Sequence, residues 1–309
     1  MASKAQDKPT TTGRLWSLVG VFAPTIISLV AFKWGGYGLQ TLEALELAVA
    51  SSTAQVTMSE SSVVQAAGVN GTATDIDLLR AQYAQFCPQQ QFRTTIFTTD
   101  PLIIYVENYL APAEINYLLQ LAVPLYQQSP VSKGHRLKTY DAEIRSSMSA
   151  VLPHDPVVQC IEKRSVDFQG FMPTYHLEDI QVVKYGIADH FRPHYDWFGG
   201  MENPRLSTFF VYLACDSGKP GVEGECKGGA TQFPHYDGRF PARWCEFIDC
   251  HDESGVGGIA FKPIVGNAVF WGNLYPNGTG HPGVWHAGMP VIEGRKVGLN
   301  IFTRKNKWE

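Results

Sequence analysis

The sequence lacks any surplus of basic charge: 25 Lys and Arg stand against 29 Asp and Glu, a formal net charge of -4. That excludes the broad cationic face on which nucleic-acid binding depends. Its six cysteines include no CxxC pair, which speaks against a structural zinc site. No internal repeat with a period of roughly 20–50 residues is present. From about position 95 onward long apolar runs are missing as well, while glycine and proline are frequent, at 29 and 19 residues. Short runs cut by turn residues exclude a helical bundle and favour a β-rich core. What is present is enough apolar material, 44% of 309 residues with 12% aromatic, for one large domain with appendages.

The first residues form a distinct region. Residues 1–14 are polar and carry Lys4, Lys8 and Arg14 against Asp7; Leu15 to Phe32 (LWSLVGVFAPTIISLVAF) then holds no charge. About 18 uncharged residues reach the lower limit for a membrane-spanning helix, and Pro24 is tolerable in one. The basic flank orients such a helix with a cytoplasmic N-terminus and a lumenal body. We therefore expect a cytoplasmic tail over 1–14, a transmembrane signal-anchor over 15–33 and an endoplasmic reticulum location. A cleaved signal peptide is the rival, although no small-x-small cleavage site follows directly. The sequons at Asn70 and Asn277 agree with glycosylation in the lumen. Residues 34–94, rich in Ala, Gln, Ser and Thr, read as a spacer, with a helix at 41–50 or 74–86. Cys245 and Cys250 flank EFID and can form a local bridge. Cys215 and Cys226 enclose a Gly/Pro loop and can also pair, whereas a cytosolic chain would keep all six thiols reduced.

The compact domain is expected over 95–309. Leu102–Val106 reads as a strand. Residues 113–126 follow Pro112 with helical spacing, and residues 157–168 form a second helix candidate. Later come strands at 206–213, 259–263, 267–271, 284–287 and 297–303. This predicts an α+β, mainly β fold: a double-stranded β-helix, or jelly roll, with flanking N-terminal helices.

The chemistry centres on Gln181–Phe198 (QVVKYGIADHFRPHYDWF). If that stretch is extended, His194 and Asp196 point to one face and Tyr195 to the other. His286, roughly 90 residues after Asp196, completes two histidines and one carboxylate. That set leaves three positions open on a six-coordinate ferrous ion, for a bidentate cosubstrate and dioxygen; zinc hydrolysis by the same ligands is chemically possible. Lys296, ten residues after His286 on the next strand, would need an anionic partner if buried. The distal carboxylate of 2-oxoglutarate is such a partner.

Four ordered motifs carry a family resemblance. QVVKY followed by His194-x-Asp196, Arg205-x-x-Thr208-x-Phe210-x-Tyr212-Leu213, GGATQFP at 228–234, and HAGMPVIEGRK at 286–296 together resemble the prolyl 4-hydroxylase family of iron(II)/2-oxoglutarate dioxygenases. The resemblance covers about two thirds of the chain. It implies Fe(2+) on His194, Asp196 and His286 and 2-oxoglutarate on Lys296. It places Tyr185, Tyr212, Thr231 and Asn300 around the cosubstrate. Dioxygen is the second cosubstrate and L-ascorbate the reductant, and no catalytic group separate from the metal ligands is implied. The reaction would couple decarboxylation of 2-oxoglutarate to hydroxylation of an unactivated C–H bond, with peptidyl proline the first substrate expected. Arg145, Ser147, Glu178 and Arg205 match the family's peptide-binding positions.

The chain also departs from its family. Ala188 stands where a glycine is usual, and Ala230 where a glutamate is. Phe302 and Arg304 replace a tryptophan and a histidine. These departures lie on the substrate side, so a tailoring oxygenase acting on a small molecule or free amino acid is the second reading. A catalytically silent binding module is the third, disfavoured by the complete ligand set. The segment WCEFIDCHDE is similar to fungal members. His190 lies close enough to the first ligand strand to touch the site, and the other histidines are not expected to be ligands.

Overall fold

A computed structural model describes residues 75–132, 138–219, 223–236, 240–250 and 257–308. The expected tail, the anchor at 15–33, the helix at 41–50 and Asn70 lie outside the described residues. Among the described residues no helix is long and apolar enough to cross a membrane.

Period-two alternation builds the molecule. In the strand Arg205–Asp216, Phe209, Val211 and Leu213 enter one apolar core, while Phe210 and Tyr212 enter a second on the opposite face. Its partner Arg295–Arg304 repeats the pattern. Val297, Leu299 and Ile301 join the first core, whereas Lys296, Asn300, Phe302 and Arg304 line a cavity on the other side. Both strands lie inside an eight-stranded antiparallel sheet. Its order is Arg93–Thr99, Leu102–Glu107, Ala268–Gly272, Arg205–Asp216, Arg295–Arg304, Gln181–Tyr185, Met148–Val151, Gln127–Gln128. A four-stranded sheet of Ile259–Phe261, Thr231–Phe233, His286–Gly288 and Phe191–His194 packs on it through the second core. This mainly β architecture with few helices is consistent with the expected jelly roll. Gly298 pairs with Tyr212 across the two central strands. A Cβ there would fall on the Phe210 ring, so that ring lies across the neighbouring strand only because the side chain is missing.

Helices cover the outer face of the large sheet. Pro156–Phe168 starts at Asp155, whose carboxylate accepts the Val157 amide at 2.9 Å. Its Val157, Val158, Ile161 and Val166 turn into the first core. The helix expected over 113–126 runs from Pro112 to Ala122 and gives way to a 3-10 turn, Val123–Leu125, because Pro124 has no amide to continue it. The buried Glu114 receives both Arg164 guanidinium nitrogens, at 2.6 and 2.9 Å, and the Tyr83 hydroxyl at 3.0 Å. Tyr83 belongs to a third helix, Asp75–Gln85, which Cys87–Cys160 also ties to Pro156–Phe168. The folded unit thus includes residues before 95, the boundary expected, which falls within the strand Arg93–Thr99. Cys215–Cys226 and Cys245–Cys250 are paired as well.

Candidate metal centre and substrate cavity

The stretch 181–198 is not one strand. Gln181–Tyr185 belongs to the large sheet and Phe191–His194 to the small one. Ala188, in the crossing between them, has φ +68°. That left-handed conformation costs a non-glycine residue about 1–2 kcal/mol, which accounts for the glycine usual there. The strand ends at His194, so Asp196 reaches the site from the turn beyond rather than by strand alternation.

His194 and His286 face each other as register partners across the small sheet. Each points its Nδ1 at a backbone carbonyl, that of Arg192 and of Val284, both at 2.9 Å. A carbonyl accepts only, so each Nδ1 carries a proton and each Nε2 is the ring nitrogen left to face the metal position. Those Nε2 atoms lie 3.8 and 3.7 Å from the two Asp196 carboxylate oxygens. The three ligating atoms are all within 4.8 Å of one another.

Electrostatics keep this set in its metal-binding form. Burial, with His286 beside it, pushes the His194 imidazole down to about 3, so it is neutral near pH 7. Burial alone would raise Asp196, but His286, Arg205, His194 and the Thr208 hydroxyl bring it below the ordinary carboxylate value. Thr208 Oγ1 donates to Asp196 Oδ2 at 2.8 Å and accepts from Asn273 Nδ2 at 2.9 Å. Two imidazole Nε2 atoms and one carboxylate converging on one point fit a divalent iron ion. Neither Asn273 nor the role of Thr208 shows in local sequence spacing, since Asn273 meets Thr208 from 65 residues away.

A cavity of about 720 Å³ opens from these ligands. Tyr185, Thr231, Lys296, Asn300, Arg145, Glu178 and Arg205 all line it. Two expected residues do not: Tyr212 stands behind the wall, where its hydroxyl donates to Thr231 Oγ1 at 2.9 Å, and Ser147 accepts from Arg145 Nε at 3.0 Å. His190 is turned away, its ring nitrogens against the carbonyls of Ala188 and Glu143. Lys296 is 1% exposed and donates to the Gly229 carbonyl at 2.5 Å. Its ammonium lies 5.0 Å from the ring centroids of both Tyr185 and Phe210. Gly229 adopts φ +69°, and a Cβ on it would press on the lysine stem at 3.1 Å, so the glycine pair forms the cradle. Burial brings the Lys296 ammonium down to about 7. No carboxylate lies in ion-pair contact with it among the described residues, which fits a site awaiting an external carboxylate. On the far side, Arg205 grips Glu178 with Nε at 2.5 Å and Nη2 at 2.8 Å. Its guanidinium lies 3.5 Å over the Phe302 ring, so phenylalanine supplies an aromatic face at that position.

A jelly roll carrying two histidines and an aspartate beside a buried lysine defines a class, the 2-oxoglutarate- and iron(II)-dependent oxygenases. Residues 180–304 match the family model of the 2OG-Fe(II) oxygenase superfamily. The chain is 33% identical over 223 residues to "Probable prolyl 4-hydroxylase 10" of Arabidopsis thaliana, covering 69% of this chain and 72% of that protein. It is 31% identical over 220 residues to "Prolyl 4-hydroxylase subunit alpha-3" of Bos taurus, covering 67% of this chain and 34% of that one. Among solved structures it is similar to a viral collagen prolyl hydroxylase from Paramecium bursaria Chlorella virus 1, with 21% identity, a TM-score of 0.42, and 66% of this chain and 96% of that one covered. The chain belongs to the prolyl 4-hydroxylase family, and it is a 2-oxoglutarate-dependent dioxygenase. Its cofactor is Fe(2+), its cosubstrates are 2-oxoglutarate and O2, and ascorbate is the reductant.

Proposed function

We propose that the protein hydroxylates proline residues of peptides or proteins in the lumen of the secretory pathway. The observation that carries this reading is the aromatic part of the cavity lining, Tyr195, Trp197, Phe198, Trp285, Phe302 and Trp308. A proline-rich chain, extended and already low in conformational entropy, packs well in such an aromatic groove. The reading also draws on the similarity to prolyl 4-hydroxylases over some two thirds of the chain.

Iron with 2-oxoglutarate and dioxygen supplies the oxidising power for C–H hydroxylation, leaving succinate and carbon dioxide. The chain's own residues do the rest. His194, Asp196 and His286 hold the metal, with Nδ1–H bonds and Thr208 fixing their orientation. Lys296 neutralises the distal carboxylate of the keto-acid. Thr231, held by Tyr212, and Asn300 supply polar contacts along it. The aromatic wall excludes water around the target carbon. Arg145 and Arg205 with Glu178 orient the peptide backbone.

With ferrous iron, ascorbate and 2-oxoglutarate, proline-rich peptides are expected to stimulate succinate release and to gain one oxygen atom. Several proline contexts without peptide-stimulated succinate would overturn this substrate.

The lumenal location rests on the N-terminal uncharged run read as a single-pass anchor and on three cysteine pairs, which persist in oxidising compartments. Asn277 lies exposed in a turn with its Oδ1 bound to the Thr279 amide and hydroxyl. The membrane-associated protein from secreting cells is expected to lose mass on N-glycosidase treatment, less so in Asn277→Gln; an unchanged mass in the parent protein counts against lumenal exposure. The narrower reading as a fungal member rests on the WCEFIDCHDE segment, closed here by Cys245–Cys250.

A further inference from the structure

The substrate side of the cavity carries more positive charge than the chain neutralises. Three guanidiniums line it, Arg145, Arg205 and Arg304, and two carboxylates, Asp196 and Glu178. Asp196 faces the metal position, and Lys296 is matched to the keto-acid. Asp196 also lies 3.6 Å from Arg205 Nη1, so Glu178 is left as the main counter-charge to Arg304 and Arg145.

Glu178 is already spent on Arg205, which holds both its oxygens. Arg304 comes second. Its Nε lies 2.6 Å from Glu178 Oε1, the oxygen that also takes Arg205 Nε, yet off the line for a hydrogen bond, so this buried N–H has no hydrogen-bond partner. Its Nη1 donates to the Asn203 carbonyl at 2.7 Å, and its guanidinium sits 4.8 Å from the Trp308 ring centroid. Arg145 contacts Ser147, the Pro130 carbonyl and the Phe191 ring, and no carboxylate lies in ion-pair contact with it among the described residues. Both side chains are more than nine-tenths buried. Burial lowers both from the ordinary arginine value and Arg205 adds to it; Asp196 acts the other way on both, as Tyr185 does on Arg145 and Glu178 on Arg304, without reversing the direction. A guanidinium does not give up its proton in a protein, so the cost of this surplus persists until an anion enters. Arg304 takes the place of a histidine usual in the family, which exchanges a titratable ring for a permanent cation.

We propose that the cavity contains a subsite for a substrate carboxylate, anchored by Arg304 and favoured by the field of Arg145, so that the preferred substrate carries an anion close to the hydroxylated carbon. This rests on the reading above only in taking the cavity as the place where substrate binds. The carboxylate is either a main-chain terminus or an Asp or Glu side chain.

Three matched proline peptides separate these sources on the iron- and 2-oxoglutarate-loaded enzyme: one amidated with neutral flanks, one with a free C-terminal carboxylate next to proline, and one amidated with glutamate beside proline. One of the two acids is expected to show a KM about ten-fold below the neutral peptide, the scale of one charge-assisted hydrogen bond, with kcat little changed. Arg304→Gln should erase that difference and Arg304→Lys should keep most of it. Equal KM for all three overturns the subsite and leaves prolyl hydroxylation standing; a preference that survives Arg304→Gln removes it from Arg304. If Arg304→Gln does not fold, Arg304→Met is the neutral replacement, with the same two outcomes. If no peptide turns over, oxygen-free binding of acetylproline and its amide decides. Tighter binding of the acid that depends on Arg304 upholds the subsite while the peptide reading falls. Equal binding, or none, overturns both.

Discussion

His286→Ala loses turnover by roughly a thousand-fold or more at saturating iron, well beyond the 10–100-fold typical of losing a group behind the ligands. The reason is geometric. His286 supplies one of three lone pairs within 4.8 Å of one another, and its replacement leaves two protein ligands and a void beside Trp271, whose ring centroid lies 4.7 Å away. Thr208→Val is the control. It removes the hydroxyl that donates to Asp196 at 2.8 Å but no ligand. Its defect should appear as weaker iron affinity, about 10–100-fold, and recover when iron is raised. Ferrous iron titrations followed by succinate release separate the two, with thermal unfolding as the check on folding. Substantial activity in His286→Ala at saturating iron would remove that residue from the centre.

Much of this centre was legible because its chemistry is written in local spacing. His194-x-Asp196 and the ending from His286 to Lys296 each lie within a dozen residues, and the alternation of Lys296, Asn300 and Phe302 with Val297, Leu299 and Ile301 shows on its face which residues point to the site. The parts that escaped are set by long-range geometry. Asn273 meets Thr208 from 65 residues away, and Cys87 meets Cys160 across 73 residues; no local pattern announces either. The helix Asp75–Gln85 is weakly amphipathic and buries Tyr83 alone, so residues 75–94 looked like spacer until Arg80 and Tyr83 met Asp155 and Glu114. The family resemblance puts Tyr212 beside the cosubstrate, and it does share a strand face with Phe210. The parity was right, but the depth was not, since Thr231 stands between it and the space. Asp196 joins His194 and His286, but strand alternation is not what brings it there, because the strand stops two residues earlier. Arg304 was visible as a departure from the family. Its consequence appeared only when Glu178 proved to be shared with Arg205.

Lys296→Met should raise the stability of the protein without 2-oxoglutarate while removing its response to the keto-acid. Burying an ammonium with only a carbonyl partner is costly, and replacing a buried ionic group by a well-packed apolar one often stabilises by about 1–4 kcal/mol. The same change leaves the distal carboxylate of 2-oxoglutarate unpaired, a loss of about 2–5 kcal/mol, or roughly 30-fold to several thousand-fold in affinity. The sign of the pH dependence follows from burial, which brings Lys296 down to about 7 from 10.5. Between those values the unfolded chain holds a proton that the folded one has released, so this group adds stability as pH rises through the window. Below pH 7 the ammonium is charged in both states and its burial cost is fully present. Bound 2-oxoglutarate favours the charged lysine and should flatten this dependence, which Lys296→Met should lack altogether. Thermal unfolding of both proteins from pH 6.5 to 10, with and without 2-oxoglutarate and in the absence of oxygen, measures all three effects. A parent protein that loses stability specifically through Lys296 as pH rises, or a Lys296→Met variant with undiminished 2-oxoglutarate affinity, would show that the cation has another partner.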